Sequence, residues 1–223
     1  MGKETGTFEL TVRAIEVIDA AGTVRRHLRV FCPAENRSID ARICARCDLC
    51  ESAPPLDENG TSWKAGDVTA GLGVLRCQGR NHRGPPSSAG WFVGRDPVST
   101  WTPAGAVGGP VLVCARESAP IQGVGDTLAA YGLPAALVVD ERTRVLGVVT
   151  REGLSGRSTL PVLTVVDPDV FVVEESAPLS EVIARMAYRR AHQVALVTDD
   201  KRAAGLVSEI GLLRWIARGG SSW

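Results

Sequence analysis

The chain has 223 residues, with 25 Lys plus Arg balanced by 25 Asp plus Glu and only 5% aromatic residues. A formal charge of zero removes the basic excess on which generic nucleic-acid or membrane-surface binding rests. No apolar run approaches the ~20 residues of a membrane helix, and the opening MGKETGTFEL lacks a stretch of signal-peptide length, so a cytoplasmic protein is expected.

Residues 7–50 begin with alternation. Phe8, Leu10 and Val12 point one way and Glu9, Thr11 and Arg13 the other, which predicts a half-buried strand. Ala21-Gly22 can turn the chain, and Val24 to Phe31 predicts a second strand in a hairpin with the first. Five cysteines, Cys32, Cys44, Cys47, Cys50 and Cys77, fall in the stretch 32–77. In a reducing compartment such clustering points to metal more often than to disulfides. A structural zinc takes four thiolates, often two from one tight Cys-x-x-Cys turn. Cys32 and Cys77 each end a short apolar strand, and side by side these strands would present both sulfurs to one knuckle. The expected set is Cys32, Cys44, Cys47 and Cys77, with Cys50 as the alternative in a Cys47 and Cys50 combination. An iron–sulfur cluster, a dithiol redox pair and unliganded thiols stay open, as do His27 or His82 in place of one cysteine. Residues 7–80 are thus expected to form a small, mainly β, cysteine-rich domain of zinc-ribbon type.

Residues 51–110 differ in kind. Gly and Pro make up about 30% of them, against the ~12% of an average chain, too many punctuation points for a separate core. One island, Gly73 to Cys77, predicts a short strand, and Trp63, Trp91, Phe92 and Trp101 predict local anchoring on a neighbouring surface. Residues 81–108 are expected to be a Gly/Pro-rich linker.

The rest repeats itself. Val111 to Leu154 falls on Asp169 to Leu212 without a gap: Glu117-Ser118-Ala119-Pro120 on Glu175-Ser176-Ala177-Pro178, and Gly147-Val148-Val149-Thr150 on Gly205-Leu206-Val207-Ser208. A copied unit kept in phase packs against its copy. Each reads strand, helix, strand, strand, helix, over 109–160 and 161–218. In the second copy Val170 to Val173 predicts a buried strand, with Ser176 the N-cap and Pro178 in the first turn. Leu179, Val182, Ile183 and Met186 supply one apolar helix face, Val194 to Val197 and Ala203 to Val207 a hairpin, and Leu212, Leu213, Trp215 and Ile216 line a final helix. In the first copy Gly153, Ser155 and Gly156 weaken that last helix toward a bare turn. Cys114, within Val111-Leu112-Val113-Cys114, reads as a buried strand residue.

This order resembles the cystathionine-β-synthase (CBS) domain, and two in register resemble a Bateman module. The resemblance rests on Leu137-Val138-Val139-Asp140 and Leu196-Val197-Thr198-Asp199 before the hairpin turns and on the Gly147 and Gly205 segments after them. It implies an α+β fold, a tandem CBS-domain pair of β-α-β-β-α units beside the N-terminal domain. It also implies a regulatory module that binds AMP, ATP or S-adenosylmethionine between its repeats and often dimerises. Thr150 and Ser208 match the family's hydroxyl at a helix N-terminus, where free N–H groups favour phosphate. Three positions on, the ribose-binding Asp is replaced by Gly153 and Gly211, which removes hydrogen bonds to a charged acceptor. His192, with Arg189 and Arg190 nearby, stands where some members bring a basic group to phosphate, or else lies on a solvated surface.

No paired carboxylates, Ser–His–Asp set or complete phosphate loop can be assembled, and Gly71-Leu72-Gly73 does not complete a dinucleotide fingerprint. The expectation is a non-catalytic regulatory protein: a homodimeric CBS pair sensing an adenine nucleotide, or serving association alone, with a metal-stapled N-terminal domain that docks an unknown protein partner. The alternative makes the cysteine domain primary, as a metal- or redox-responsive sensor whose CBS pair only dimerises. Membrane and nucleic-acid partners are not expected.

Overall fold

The computed structural model describes residues 6–53, 73–79, 102–154 and 159–217. Strand β1 (Gly6–Ile18) and β2 (Val24–Cys32) form the expected antiparallel hairpin, in register from Val12 opposite Val30 to Ile18 opposite Val24. Asp19 Oδ1 closes the turn by accepting the N–H groups of Ala21 and Thr23. A short β3 (Arg37–Asp40) adds to β2, and helix α1 (Ala41–Ala45) follows, its first turn capped by the Asp40 side chain. The first half of β1 pairs with β5 (Val74–Gly79), which carries β4 (Cys50–Ser52) on its other side.

The second half of β1 departs from the sequence expectation. It pairs in parallel with β6 (Val111–Arg116), Ala14 opposite Val111 through Ile18 opposite Ala115. The strand is half-buried only in its opening stretch. From Val12 onward both faces are covered: Val12, Ala14 and Ile18 enter one core, Ile15 and Val17 another. Arg13 and Glu16 are therefore buried instead of facing water. Beyond β6 the sheet continues through β7 (Ala135–Val139) and β8 (Val145–Thr150), eight strands among the described residues.

The repeat is realised at a constant shift of 58 residues. Helix α2 (Ile121–Tyr131), β7 and β8 map onto α3 (Leu179–Arg189), β10 (Gln193–Val197) and β11 (Ala203–Ser208). Even the irregularities recur: left-handed caps at Gly132 and Arg190, positive φ at Thr143 and Lys201, and register slips at Val138/Val139 and Leu196/Val197. Differences are local. Strand β9 is Val172–Glu174, shorter and later than expected, in register with Ala195–Val197 of β10, while Phe171 contributes its O to Ala195 N–H at 2.9 Å. Helix α3 starts at Leu179 with extended Pro178 as N-cap, and Ser176 lies two residues too early to cap it. The second unit ends in α4 (Glu209–Ala217), which buries Leu212 and Trp215 but leaves Leu213 64% exposed; in the first, residues 151–154 form a turn, and Ser155 and Gly156 lie outside the described residues.

Each unit is completed by the segment ahead of the other. Thr102 O accepts from Leu179 N–H and Ala104 N–H donates to Ala177 O; the equivalent bonds join Leu160 O to Ile121 N–H and Val162 N–H to Ala119 O. Within the stretch expected to be linker, residues 102–105, 107 and 108 are buried against the second unit's lead into α3. Residues 81–101, with Trp91, Phe92 and Trp101, lie outside the described residues, as do Trp63 and His82. The three-stranded β9–β10–β11 sheet faces the larger sheet over Ile15, Leu112, Leu137, Val139, Ala195 and Ala203. No helix among the described residues is long and apolar enough to cross a membrane.

Candidate functional site

The repeat places the two predicted hydroxyls at the ends of β8 and β11. Thr150 Oγ1 accepts the N–H of Gly153 at 3.2 Å, and Ser208 Oγ that of Gly211 at 3.0 Å. Each hydroxyl thus organises the turn that follows and keeps its own O–H to donate. Among the described residues only Ser208 precedes a helix, and there the second half-site offers a set of N-terminal N–H groups. Its charge is not free: Glu209 opens α4 and holds His192, Nδ1 to Oε2 at 3.1 Å, while Glu209 N–H donates to His192 O. His192 is 81% exposed by its side chain and carries a carboxylate partner. Arg189 does not stand over the half-site either; its guanidinium stacks on Phe171, 5.0 Å from the ring centroid. Arg190 is the left-handed cap of α3. The structure therefore pairs Thr150 with Gly153 and Ser208 with Gly211, and ties His192 to Glu209.

The cysteines gather, but not in the expected pairing. Strands β2 and β5 both border β1 and do not pair with each other, so Cys77 lies opposite Cys50, not beside Cys32. Cys44 sits in α1, and two successive turns bring Cys47 N–H to Cys44 O at 3.0 Å and Cys50 N–H to Cys47 O at 2.9 Å. Burial pushes the Cys44 thiol up to about 12, helped by Cys32, Cys77, Cys50 and Cys47. Burial likewise raises Cys77 to about 11, with Cys32, Cys47 and Cys50 adding to it. All five are electrostatic neighbours. Yet among the described residues no three Cys, His, Asp or Glu side chains are disposed to hold a metal ion. The tetrahedral set Cys32, Cys44, Cys47 and Cys77 is not assembled, and His27 stands on β2 opposite Ile15 instead of joining the thiols.

Sequence reasoning missed the buried polar groups that join the halves of the molecule. Arg13 reaches four carbonyls: Nε to Gly109 O at 2.8 Å, Nη1 to Ala204 O at 2.7 Å, and Nη2 to Gly105 O at 3.0 Å and Gly108 O at 2.9 Å. Burial holds its pKa down at about 10, against the opposing pull of Glu175. Glu175, also buried, accepts from Ser38 N–H at 2.7 Å and from Ser38 Oγ at 2.5 Å. On the other face Glu16 accepts from Arg26 Nε at 2.5 Å and Tyr131 O–H at 2.7 Å. The only sequence signal for these contacts is a charged residue inside an apolar strand.

Residues 162–218, about a quarter of the chain, match the family model described as CBS domain. No curated protein matches the chain. Among solved structures, protein MJ1004 from Methanocaldococcus jannaschii is 20% identical with a TM-score of 0.44, over 47% of this chain and 54% of that one. The CBS domain pair of protein MJ0100, in complex with 5′-methylthioadenosine and S-adenosyl-L-methionine, is 18% identical with a TM-score of 0.46, over 52% of this chain and 97% of its own. The cytosolic domain of the Mg2+ channel MgtE, in complex with ATP, is 25% identical with a TM-score of 0.45, over 50% of this chain. The chain spans about half the length of the first and last of these, 54% and 48%.

Proposed function

We propose that residues 102–217 act as a tandem CBS module with a non-catalytic, regulatory role, taking an adenine nucleotide or S-adenosylmethionine between its repeats and associating as a homodimer. One observation carries this reading. The family match falls on the second unit, and the first unit reproduces it at a fixed shift, caps and irregularities included. The ligand half-site is Ser208 with the free N–H groups of α4, and the first-repeat counterpart is Thr150. Gly153 and Gly211 offer no carboxylate to a ribose, and Glu209 opposes phosphate at the helix start, so binding is expected to be weak. AMP, ATP or S-adenosylmethionine should raise the melting temperature of the full chain, and Ser208→Ala should remove part of that shift. No shift with any of the three at millimolar concentration would refute sensing.

Association has its own support. Ile210 and Leu213, one turn apart on α4, are 58% and 64% exposed, and Tyr188 on α3 is 91% exposed. Large apolar groups left on helices suit burial against a second copy. Ile210→Lys with Leu213→Lys should turn a dimer into a monomer by sedimentation; a wild-type monomer would end the dimer reading.

For the N-terminal domain the reading is a docking surface stapled by zinc on four of the five neighbouring thiols. Their mutual electrostatic proximity supports it, and the thiols must close in and lose protons to bind. Metal analysis should find one zinc per chain, lost in Cys77→Ser; brown protein containing iron and sulfide would favour the redox sensor instead.

A further inference from the structure

A cavity of about 390 Å³ opens where the N-terminal sheet meets the hairpin turn of the second repeat. Its apolar side is formed by Ile15 and Val17 of β1, Cys114 of β6 and Ala203 of β11, part of the layer between the two sheets. His27, Arg29 and Arg37 line it from β2 and β3. His27 and Arg29 are two apart on one strand and so share a face. Ser38, Thr143, Thr198, Asp199, Asp200 and Arg202 complete the lining.

The polar groups differ in how far the protein already satisfies them. Asp200 is taken by the Thr198 hydroxyl and by Arg202, Nε to Oδ2 at 2.7 Å. Arg29 is only half used: Nη2 donates to Ser38 O at 2.5 Å, while Nε is buried with no acceptor. Arg37 has one loose contact, 3.5 Å to Glu35, with most of its side chain in solvent. The uncommitted groups on that wall are thus the remaining donors of Arg29 and Arg37, and the carboxylates that oppose an anion there are Asp199 and Asp200, the latter already in the field of Arg29. A second cavity of about 450 Å³ shares Val17, His27 and Thr143 with the first and adds Arg25, the next residue on the same face of β2.

We infer that this cavity is a ligand site for a small phosphomonoester with an apolar body. The body rests on Ile15, Val17, Cys114 and Ala203, and the phosphate meets Arg29, Arg37 and His27. Guanidinium forks match the several oxygens of a phosphate better than a single carboxylate pair would. None of Thr150, Gly153, His192, Ser208 or Gly211 lines either cavity, so the site is separate from the half-sites at the ends of β8 and β11. Its position gives it a consequence. The turns of the two repeats meet here, Arg144 bridging to Arg202 and Ala203 N–H donating to Thr143 O. A ligand held between these turns and β2 therefore ties the N-terminal sheet to both repeats.

Phenyl phosphate is the probe, titrated into the full chain and followed by amide and methyl NMR, with inorganic phosphate and AMP alongside. Saturable shifts are expected at Ile15, Val17, Thr143 and Ala203, with a Kd of about 1 mM or tighter. Inorganic phosphate, lacking the apolar body, should bind more weakly. Arg29→Gln should weaken phenyl phosphate about tenfold, the loss of one charged hydrogen bond. Arg37→Gln, an exposed change that spares the fold, should weaken it several-fold, and Asp199→Asn should tighten it. Ser208→Ala should leave it unchanged. Absence of saturable shifts, or affinity indifferent to both arginine variants, overturns the site. Shifts confined to the neighbourhoods of Thr150 and Ser208 also overturn it, while leaving the CBS reading intact.

Discussion

Arg13 shows how much one misread residue can carry. Alternation alone assigns it to water, yet its guanidinium fans over the carbonyls of Gly105, Gly108, Gly109 and Ala204 and faces buried Glu175. Removing the guanidinium leaves buried carbonyls without their donor, at a cost of about 3 kcal/mol. Arg13→Met should lose stability of that size in urea denaturation, and Arg13→Lys should recover only part, since one ammonium cannot span four acceptors. A loss below ~1 kcal/mol would show that the contacts are dispensable. The thiols make a second residue-scale prediction. Cys44 and Cys114 are held up at about 12 and Cys77 at about 11, against 9.0 for a free thiol, chiefly by burial. As pH rises the unfolded chain gives up these protons first. Stability is therefore fully present below about pH 9 and falls between there and about pH 12. Denaturation of the metal-free protein followed from neutral to alkaline pH should show that decline, and Cys114→Ala should make it shallower; a flat profile for the wild type would contradict it.

At the scale of elements, what was legible was what is periodic. The helix faces and both hairpins of the repeat follow from local pattern, and both are present. Contacts set by close backbone approach left no such trace. The exchange of lead-in segments, 102–105 onto the second unit and 160–163 onto the first, sits in stretches that read as linker and loop. Cys50 paired with Cys77 only because a three-residue strand, β4, adds to β5. A motif marks Thr150 and Ser208; none marks the cavity, because its walls come from five strands and two turns. Gly147 and Gly205 test the exchange. A Cβ on Gly147 would lie 2.4 Å from Asp167 O and 2.5 Å from Val166 Cγ2, on the segment leading into the second unit. On Gly205 it would meet only side-chain atoms, Arg13 Nη1 at 3.0 Å and Leu196 Cδ1 at 3.2 Å. Gly147→Ala should therefore cost about 1–3 kcal/mol by overpacking and Gly205→Ala less, read from urea midpoints. Equal losses would mean that the lead-in segment yields freely.

For the whole molecule, the decisive feature is that β1 belongs to two assemblies at once. Its first half pairs with β5 of the cysteine region, and its second half extends the first repeat's sheet through β6. Parallel pairing between strands nearly a hundred residues apart has no local signature, which is why the sequence reads as a ribbon domain joined to an independent pair. Three further contacts bind the parts: Arg13 to Ala204, Ser38 to Glu175, and Tyr131 to Glu16. A fragment of residues 106–223 would lose β1, bare the edge of β6, and uncover Leu112 and Cys114 where Ile15 and Val17 now lie on them. It would also leave Glu175 buried without Ser38 or Arg13. The full chain should therefore unfold in one cooperative transition, and the fragment should be largely unfolded or aggregated. Calorimetry and hydrogen exchange distinguish the cases. Two separate transitions in the full chain, with the fragment reproducing the upper one, would mean that the repeats stand alone. A single transition means that a ligand in either kind of site stabilises the N-terminal sheet together with the repeats, so that binding and output share one cooperative unit.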